Sequence, residues 1–421
     1  MATLHSDMKK PFVILLFLLP FFCSAADAPV KYKKLQSEAK AALKAGKNQV
    51  AAEQKLLDAV GRPDITQAQR AEIYFLAQEL ERSQNEAENM KMYLKQTYDT
   101  TKFFSTILKM HDYLLACDSI ESQPNEKGIV KLKYRARGRE ILKQYRNYVL
   151  NGGIYLLKRE KYAEAYPYFD MYLKSARSAF FENYSDIRSE SVLPRAAYWA
   201  TLSAYNANEP RKVLKHIDEA IEGATDSVRV SLQEYKVRCY EVLNDSLQWQ
   251  EELTKGNQLY PAHDYFYLHL MDIYIQNAMY DEGIALCDTM IEKVGERGIY
   301  WYGESQMYLG KQDYDNTIRT ADEALKLDTT LTNAYYNKGM AYLNKAVLYG
   351  ETACNDVRNP KCKEERSELM SLYRSAQQPL EELRRRHPQD SKRWASPLYR
   401  IYLNLNMGKE FAEMEQILNA Q

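Results

Sequence analysis

The chain has 421 residues, of which 45% are hydrophobic and 27% charged, with only 16 Gly and 13 Pro. So few backbone breakers in so long a chain argue against a strand-and-turn class and point to an all-α protein. Lys+Arg and Asp+Glu each total 57, and this balance excludes the basic footprint that bulk nucleic-acid binding requires.

At the N-terminus Met8-Lys9-Lys10 leads into an apolar run from Pro11 to Phe22, followed by Ser24-Ala25-Ala26. Basic, apolar and small segments in that order predict a signal peptide over residues 1–26, the apolar run being too short to span a bilayer. Met1 and Met8 both stand as starts, MKKPF being the more usual opening of such a segment. Small side chains at Ala25 and Ala26 suit cleavage there. The competing reading is a lipid anchor at Cys23, against which Phe22 occupies a place where lipoproteins carry a small residue. Either way the chain is expected to be exported, as a periplasmic or outer-membrane-associated protein. No later stretch is apolar enough for a transmembrane span.

Residues 27–121 read as degenerate helical hairpins. Lys31–Ala45 and Gln49–Val60 are broken at Gly46 and ended by Gly61-Arg62-Pro63. Thr66–Glu81 with Asn85–Tyr98 gives a second hairpin, and Thr101–Ala116 a further amphipathic helix. SQPNEKG at 122–128 is the expected joint between two parts of the chain. A central set at 129–260 contains Val149, Gly153 and Leu156, then Tyr162, Ala165, Phe169 and Tyr172, with Pro167 distorting the second helix. Further pairs lie around Tyr198, Leu202, Tyr205, Ile217 and Ala220, and around Tyr240, Trp249 and Leu253, closed by Pro261.

The remainder, 261–421, holds two clear units at about 264–297 and 298–331 and a third opening at 332. In the third the second helix is displaced by a Cys-containing inserted loop near 348–364, resumes near Glu364 with a kink expected at Pro379, and stops at His387-Pro388. Lys392–Met407 and Glu410–Ala420 form a last, capping pair.

Four tyrosines, Tyr240, Tyr274, Tyr308 and Tyr342, stand 34 residues apart, and Tyr267, Trp301 and Tyr335 march at the same interval. YDEGI at 280–284 recurs as YDNTI at 314–318. A fixed period of this length means repeats. The pattern resembles the tetratricopeptide repeat, most clearly over 142–172 and 264–345. The resemblance implies a superhelical solenoid of antiparallel helix pairs, in which function lives on a surface rather than in a pocket. It places Ser305, Ala321 and Ala324 at close helix crossings, and Trp301, Tyr267, Tyr274, Tyr308, Tyr335 and Tyr342 in packing positions.

The family lines its concave groove with a fixed set of first-helix positions. By register these are Tyr265, Leu268, Asp272 and Ile275, then Ile299, Tyr302, Gln306 and Leu309, then Asn333, Tyr336, Met340 and Leu343. Tyr302 and Tyr336 are expected to form an aromatic ladder there, partly exposed, with Trp301 and Tyr335 buried one residue earlier. Family members that grip a terminal carboxylate use paired Lys, Asn and Arg at these sites, a pattern absent here. The partner-binding candidates are therefore Tyr265, Leu268, Asp272, Tyr302, Gln306, Tyr336 and Met340.

No catalytic, cofactor or metal constellation is apparent. The six His residues, 5, 111, 216, 263, 269 and 387, show no HExxH or HxH spacing. Glu251/Glu252 and Glu381/Glu382 read as solvated helix faces, and Arg384-Arg385-Arg386-His387 as the positive end of a helix. Cys239 and Cys287 read as buried small hydrophobes. Cys354 and Cys362 share a polar segment without His, so a disulfide fits an exported chain better than zinc does. The expectation is a non-enzymatic exported scaffold or adaptor binding another protein or a peptide in its groove. The alternative is a glycan-binding helical-repeat envelope protein that stacks sugars on groove aromatics.

Overall fold

The computed structural model describes residues 30–354 and 358–420. The expected signal segment, with the anchor candidate Cys23, lies outside the described residues. Among the described residues every regular element is a helix, and none is long and apolar enough to cross a membrane. The chain folds as two compact units, residues 30–155 with 171–190, and residues 156–170 with 191–420.

In the first unit α1 (Tyr32–Ala45) and α2 (Gln49–Ala59) form the expected hairpin. Its turn places Gly46 and Asn48 at φ 63° and 59°, where Gly and Asn are the residues best tolerated. Leu35, Ala39 and Leu56 pack against Ile73 and Leu80. The second hairpin differs from expectation. α3 (Gln67–Tyr93) is one helix of 27 residues that pairs with α4 (Thr100–Glu121), so no break falls between 81 and 85. Ser83, Gln84 and Asn85 look like turn residues, yet no Gly or Pro accompanies them, and Asn85 is buried. Its amide donates to the Phe103 carbonyl at 2.8 Å and to Thr106 Oγ1 at 3.0 Å, converting a helix-weakening residue into an interhelical bond.

The joint expected at 122–128 also differs, because that segment lies inside the first unit and is pinned. The Glu121 carboxylate accepts the backbone N–H groups of Lys133 and Tyr134, both at 3.0 Å. Gln67 donates to the carbonyls of Ile120 and Gln123, and Tyr134 stacks on Phe75 with ring centroids 4.2 Å apart. The chain continues through α5 (Arg135–Leu157) and α6 (Tyr162–Arg177), which contribute residues to both units, to the short α7 (Ser185–Arg188). Pro167 sits within a continuous α6.

The second unit is a series of helix pairs. They are α8 (Leu193–Asn206) with α9 (Pro210–Glu222), α10 (Asp226–Val242) with α11 (Ser246–Leu259), and α12 (Asp264–Gln276) with α13 (Tyr280–Val294). Then come α14 (Gly298–Gly310) with α15 (Tyr314–Leu327), α16 (Thr332–Thr352) with α17 (Pro360–Arg386), and α18 (Ser391–Asn404) with α19 (Gly408–Asn419).

The hairpin turns recur with the period. Asn208, Asn244, Ala278, Gln312 and Asn406 all take positive φ, each two residues before a second helix. In three successive turns the carbonyls of Tyr240, Tyr274 and Tyr308 accept the N–H groups of Asp245, Met279 and Asp313 at 3.0, 2.8 and 2.9 Å. That is the bond closing a left-handed helix C-terminus.

Tyr342, the fourth tyrosine of the series, has no such turn. α16 runs on through buried Ala346 to Thr352, and α17 begins at Pro360. The inserted loop expected over 348–364 is thus largely two helix extensions, because residues 344–349 offer no breaker and a single Gly at 350 does not stop the helix. Cys354 and Cys362 face each other across the short reversal as a disulfide, with Cα atoms 4.9 Å apart. Pro379 lies inside a continuous α17.

Small residues do sit at the crossings. Ser305, Ala321 and Ala324 are fully buried, and a Cβ on Gly339 would come 2.5 Å from Leu380 Cγ. Trp301 differs from expectation: it is half-buried, with Arg319 5.9 Å above its ring, and the fully buried aromatic is its neighbour Tyr300. Tyr267 is buried as expected, while Tyr274, Tyr308, Tyr335 and Tyr342 are half-buried at the margins of their clusters.

Candidate binding groove

Within the second unit, α12 and α14 bound a cavity of about 360 Å³. α12 presents Leu268, Asp272 and Ile275 to it, spaced by four and three residues along one helix face. α14 presents Ile299, Tyr302 and Gln306, and the start of α16 closes it with Thr332 and Asn333. Its floor exists because position 303 has no side chain. A Cβ on Gly303 would collide with the Tyr267 hydroxyl and come 3.0 Å from Met271 Cε.

Four of the seven groove candidates therefore share one cavity: Leu268, Asp272, Tyr302 and Gln306. The other three do not. Tyr265 turns toward the preceding pair, edge-on to His269 at 4.4 Å and under Arg238 at 5.4 Å. Tyr336 and Met340 pack against the C-terminal core built on Leu343, Tyr373, Leu380 and Trp394, and Arg393 lies 4.6 Å over the Tyr336 ring. The expected Tyr302–Tyr336 ladder is thus divided between a cavity wall and a core margin.

Arg393 and Gly303 carried no signal in the sequence. The Arg393 guanidinium donates to Asn333 Oδ1 at 2.8 Å, and Asn333 Nδ2 donates to Tyr302 Oη at 3.2 Å. Guanidinium has only donors, so it fixes which end of the Asn333 amide faces Tyr302. Tyr302 Oη accepts in turn, and its own proton is left for an acceptor in the cavity. Burial raises the Tyr302 pKa, opposed by the Asn333 hydrogen bond and the charge of Arg393, so the phenol stays a neutral donor. Asp272 is exposed, and neither it nor Gln306 has a hydrogen-bond or ion-pair partner among the described residues.

The other polar groups singled out in the sequence are mostly committed to the fold. His216 Nε2 lies 2.7 Å from Asp170 Oδ1, and His263 bonds Glu234. Glu252 and Glu381 differ from the solvated reading. Glu252 is buried and accepts from Gln233 and Lys236, both at 2.8 Å, while Glu381 accepts from Tyr402 at 2.9 Å. Arg384 pairs with Glu413, and Arg386 donates to the Thr329 carbonyl. Among the described residues no group of three or more His, Cys, Asp or Glu could hold a metal ion.

No family model matches the chain, and no curated protein matches it. Solved structures do. The C-terminal part of a TPR repeat-containing protein from Cytophaga hutchinsonii is 12% identical over 62% of this chain and 97% of its own, with a TM-score of 0.34. MamA from Desulfovibrio magneticus, from residue 41 to its end, is 13% identical over 44% of this chain and 97% of its own, with a TM-score of 0.29. Yeast Tom70 is 10% identical over 92% and 95%, with a TM-score of 0.27. The fold is read from the chain's own period, paired helices and turn chemistry, and on these the second unit is an all-α, tetratricopeptide-like array of antiparallel helix pairs.

Proposed function

We propose that this protein is an exported, non-enzymatic scaffold that binds a segment of another protein in the groove between α12 and α14. One observation carries the reading. Leu268, Ile275, Ile299 and Tyr302 converge on a cavity that also holds the unpartnered polar groups of Asp272 and Gln306. Apolar walls with a few aimed polar groups are what binding sites offer, and a half-exposed Tyr gives contact area at small entropy cost. Export rests on the basic–apolar–small order of residues 8–26.

The test replaces Gln306 with a photo-crosslinking benzoylphenylalanine and irradiates the protein in an envelope extract. A discrete polypeptide adduct is expected, and it should disappear when Tyr302→Ala is added. Adducts that survive Tyr302→Ala, or none at all, would count against the groove. Protection of the site by oligosaccharides alone would favour the glycan alternative.

A further inference from the structure

We infer that the α12–α14 cavity recognises a basic residue of a peptide, its ammonium or guanidinium on Asp272 and a neighbouring backbone carbonyl on the Tyr302 hydroxyl. This deepens the groove reading and rests on it.

The inference comes from charge. Several acidic side chains on the surrounding helices are paired: Asp264 with Arg297, Asp281 with Lys311, Asp315 with Lys345, Asp322 with Lys338 and Glu304 with Arg319. Two of these pairs, Asp281–Lys311 and Asp315–Lys345, recur one repeat apart. Asp272, like Glu282, Asp288 and Glu292 on α13, has no hydrogen-bond or ion-pair partner among the described residues, and of these four it alone lines the cavity. It is also the only charged residue lining the cavity, which contains no Lys, Arg or His.

A lone carboxylate above an apolar wall is complementary to a side chain with a long aliphatic stem and a cationic head. Leu268, 42% exposed, with Ile275 and Ile299, supplies the wall for the stem. At about 360 Å³ the cavity takes a residue or two rather than a folded surface. The relay from Arg393 through Asn333 holds the Tyr302 oxygen as an acceptor, so its proton points outward for a carbonyl. An acidic ligand finds no cation in the cavity and would face Asp272.

The experiment uses fluorescein-labelled hexapeptide pools with a fixed central Lys, Arg, norleucine or Glu, titrated by anisotropy against the full mature chain. The Lys and Arg pools are expected to bind about tenfold tighter than norleucine, the worth of one charge-assisted hydrogen bond, and to weaken with salt. Asp272→Asn should erase that preference, Asp272→Lys should invert it toward the Glu pool, and Glu415→Gln on α19 should leave it alone. Pools that bind equally well, yet are lost in Tyr302→Ala, overturn the basic-residue proposal while the groove reading stands. A basic preference untouched by Asp272→Asn also overturns it. Failure of every pool, together with silent crosslinking at Gln306, overturns both.

Discussion

Tyr267 meets Tyr300 edge-on, with ring centroids 5.0 Å apart at 81° and both rings withdrawn from solvent. These two residues, rather than Tyr267 and Trp301, bridge successive repeats, so the packing register is shifted by one residue from the sequence period. A step of one residue turns a side chain by about 100°, which is enough to exchange core for margin. Tyr300→Ala is therefore expected to cost about 3–5 kcal/mol, as other aromatic truncations in cores do. Trp301→Ala, which loses a half-exposed ring and its contact with Arg319, should cost about 1–2 kcal/mol. Urea titrations followed by far-ultraviolet circular dichroism compare them. Equal losses would mean that the register is the one the period suggested.

Ala278 holds φ 54° at a turn position that is Asn in three of its four counterparts, Asn208, Asn244 and Asn406, and Gln312 in the other. The left-handed region costs a β-carbon-bearing residue about 1–2 kcal/mol, and Asn recovers part of that through local hydrogen bonds. Ala278 is exposed, so replacement disturbs no packing. Ala278→Asn should stabilise the second unit by about 0.5–1 kcal/mol, and Asn244→Ala should destabilise it by a similar amount. A thermal melt that moves in the same direction for both variants would refute the turn argument.

The turns also show what was legible in the sequence. Tyr240, Tyr274 and Tyr308 repeat at one place in successive turns, where each carbonyl accepts the same capping bond; Ala204 makes that bond too, so the turn fixes the position and not the residue type. Helix pairs from residue 193 onward follow from that pattern. The continuous α3 was not legible, since Asn85 becomes a helix residue only through Phe103 and Thr106, partners distant in sequence. The cavity was half legible. Leu268, Asp272, Tyr302 and Gln306 follow from helical register, whereas Arg393 reaches Asn333 from a helix 60 residues further along the chain. Tyr336 lies at a core margin outside the cavity for the same reason: α18 brings Arg393 onto its ring.

Cys354 and Cys362 close a loop with a sequence separation of 8 across the reversal between α16 and α17. A cross-link of that length restricts the unfolded chain by about 2.5 kcal/mol on the loop-entropy account. Cys354→Ser, or reduction of the native protein, is expected to lower stability by up to that amount while leaving the remaining helix pairs intact. Mass spectrometry of the non-reduced peptide spanning 351–366 reports the bond. Free thiols in freshly isolated protein would show that the pair is not oxidised where the protein resides.

His111, in the first unit, is fully buried on α4, with Nδ1 2.9 Å from the Ile107 carbonyl and Nε2 without a partner. Burial depresses its pKa to about 4, and the charge of Arg146 acts in the same direction against the Ile107 bond. Unfolding returns the imidazole to about 6.5. The unfolded state therefore binds the extra proton first as the solution is acidified. Its contribution is fully present above pH 6.5 and is lost as pH falls toward 4, amounting to about 3 kcal/mol. Glu81 in the same unit works in the opposite sense, its carboxyl raised by burial and by Glu53, so its share is lost as pH rises. His111→Leu leaves Glu81 in place and removes only the acid limb. Urea titrations from pH 4 to pH 8 should show a constant wild-type-to-variant difference above 6.5 that shifts by about 3 kcal/mol in the variant's favour as pH falls to 4. Parallel curves across the whole range would show that folding leaves the His111 pKa unshifted.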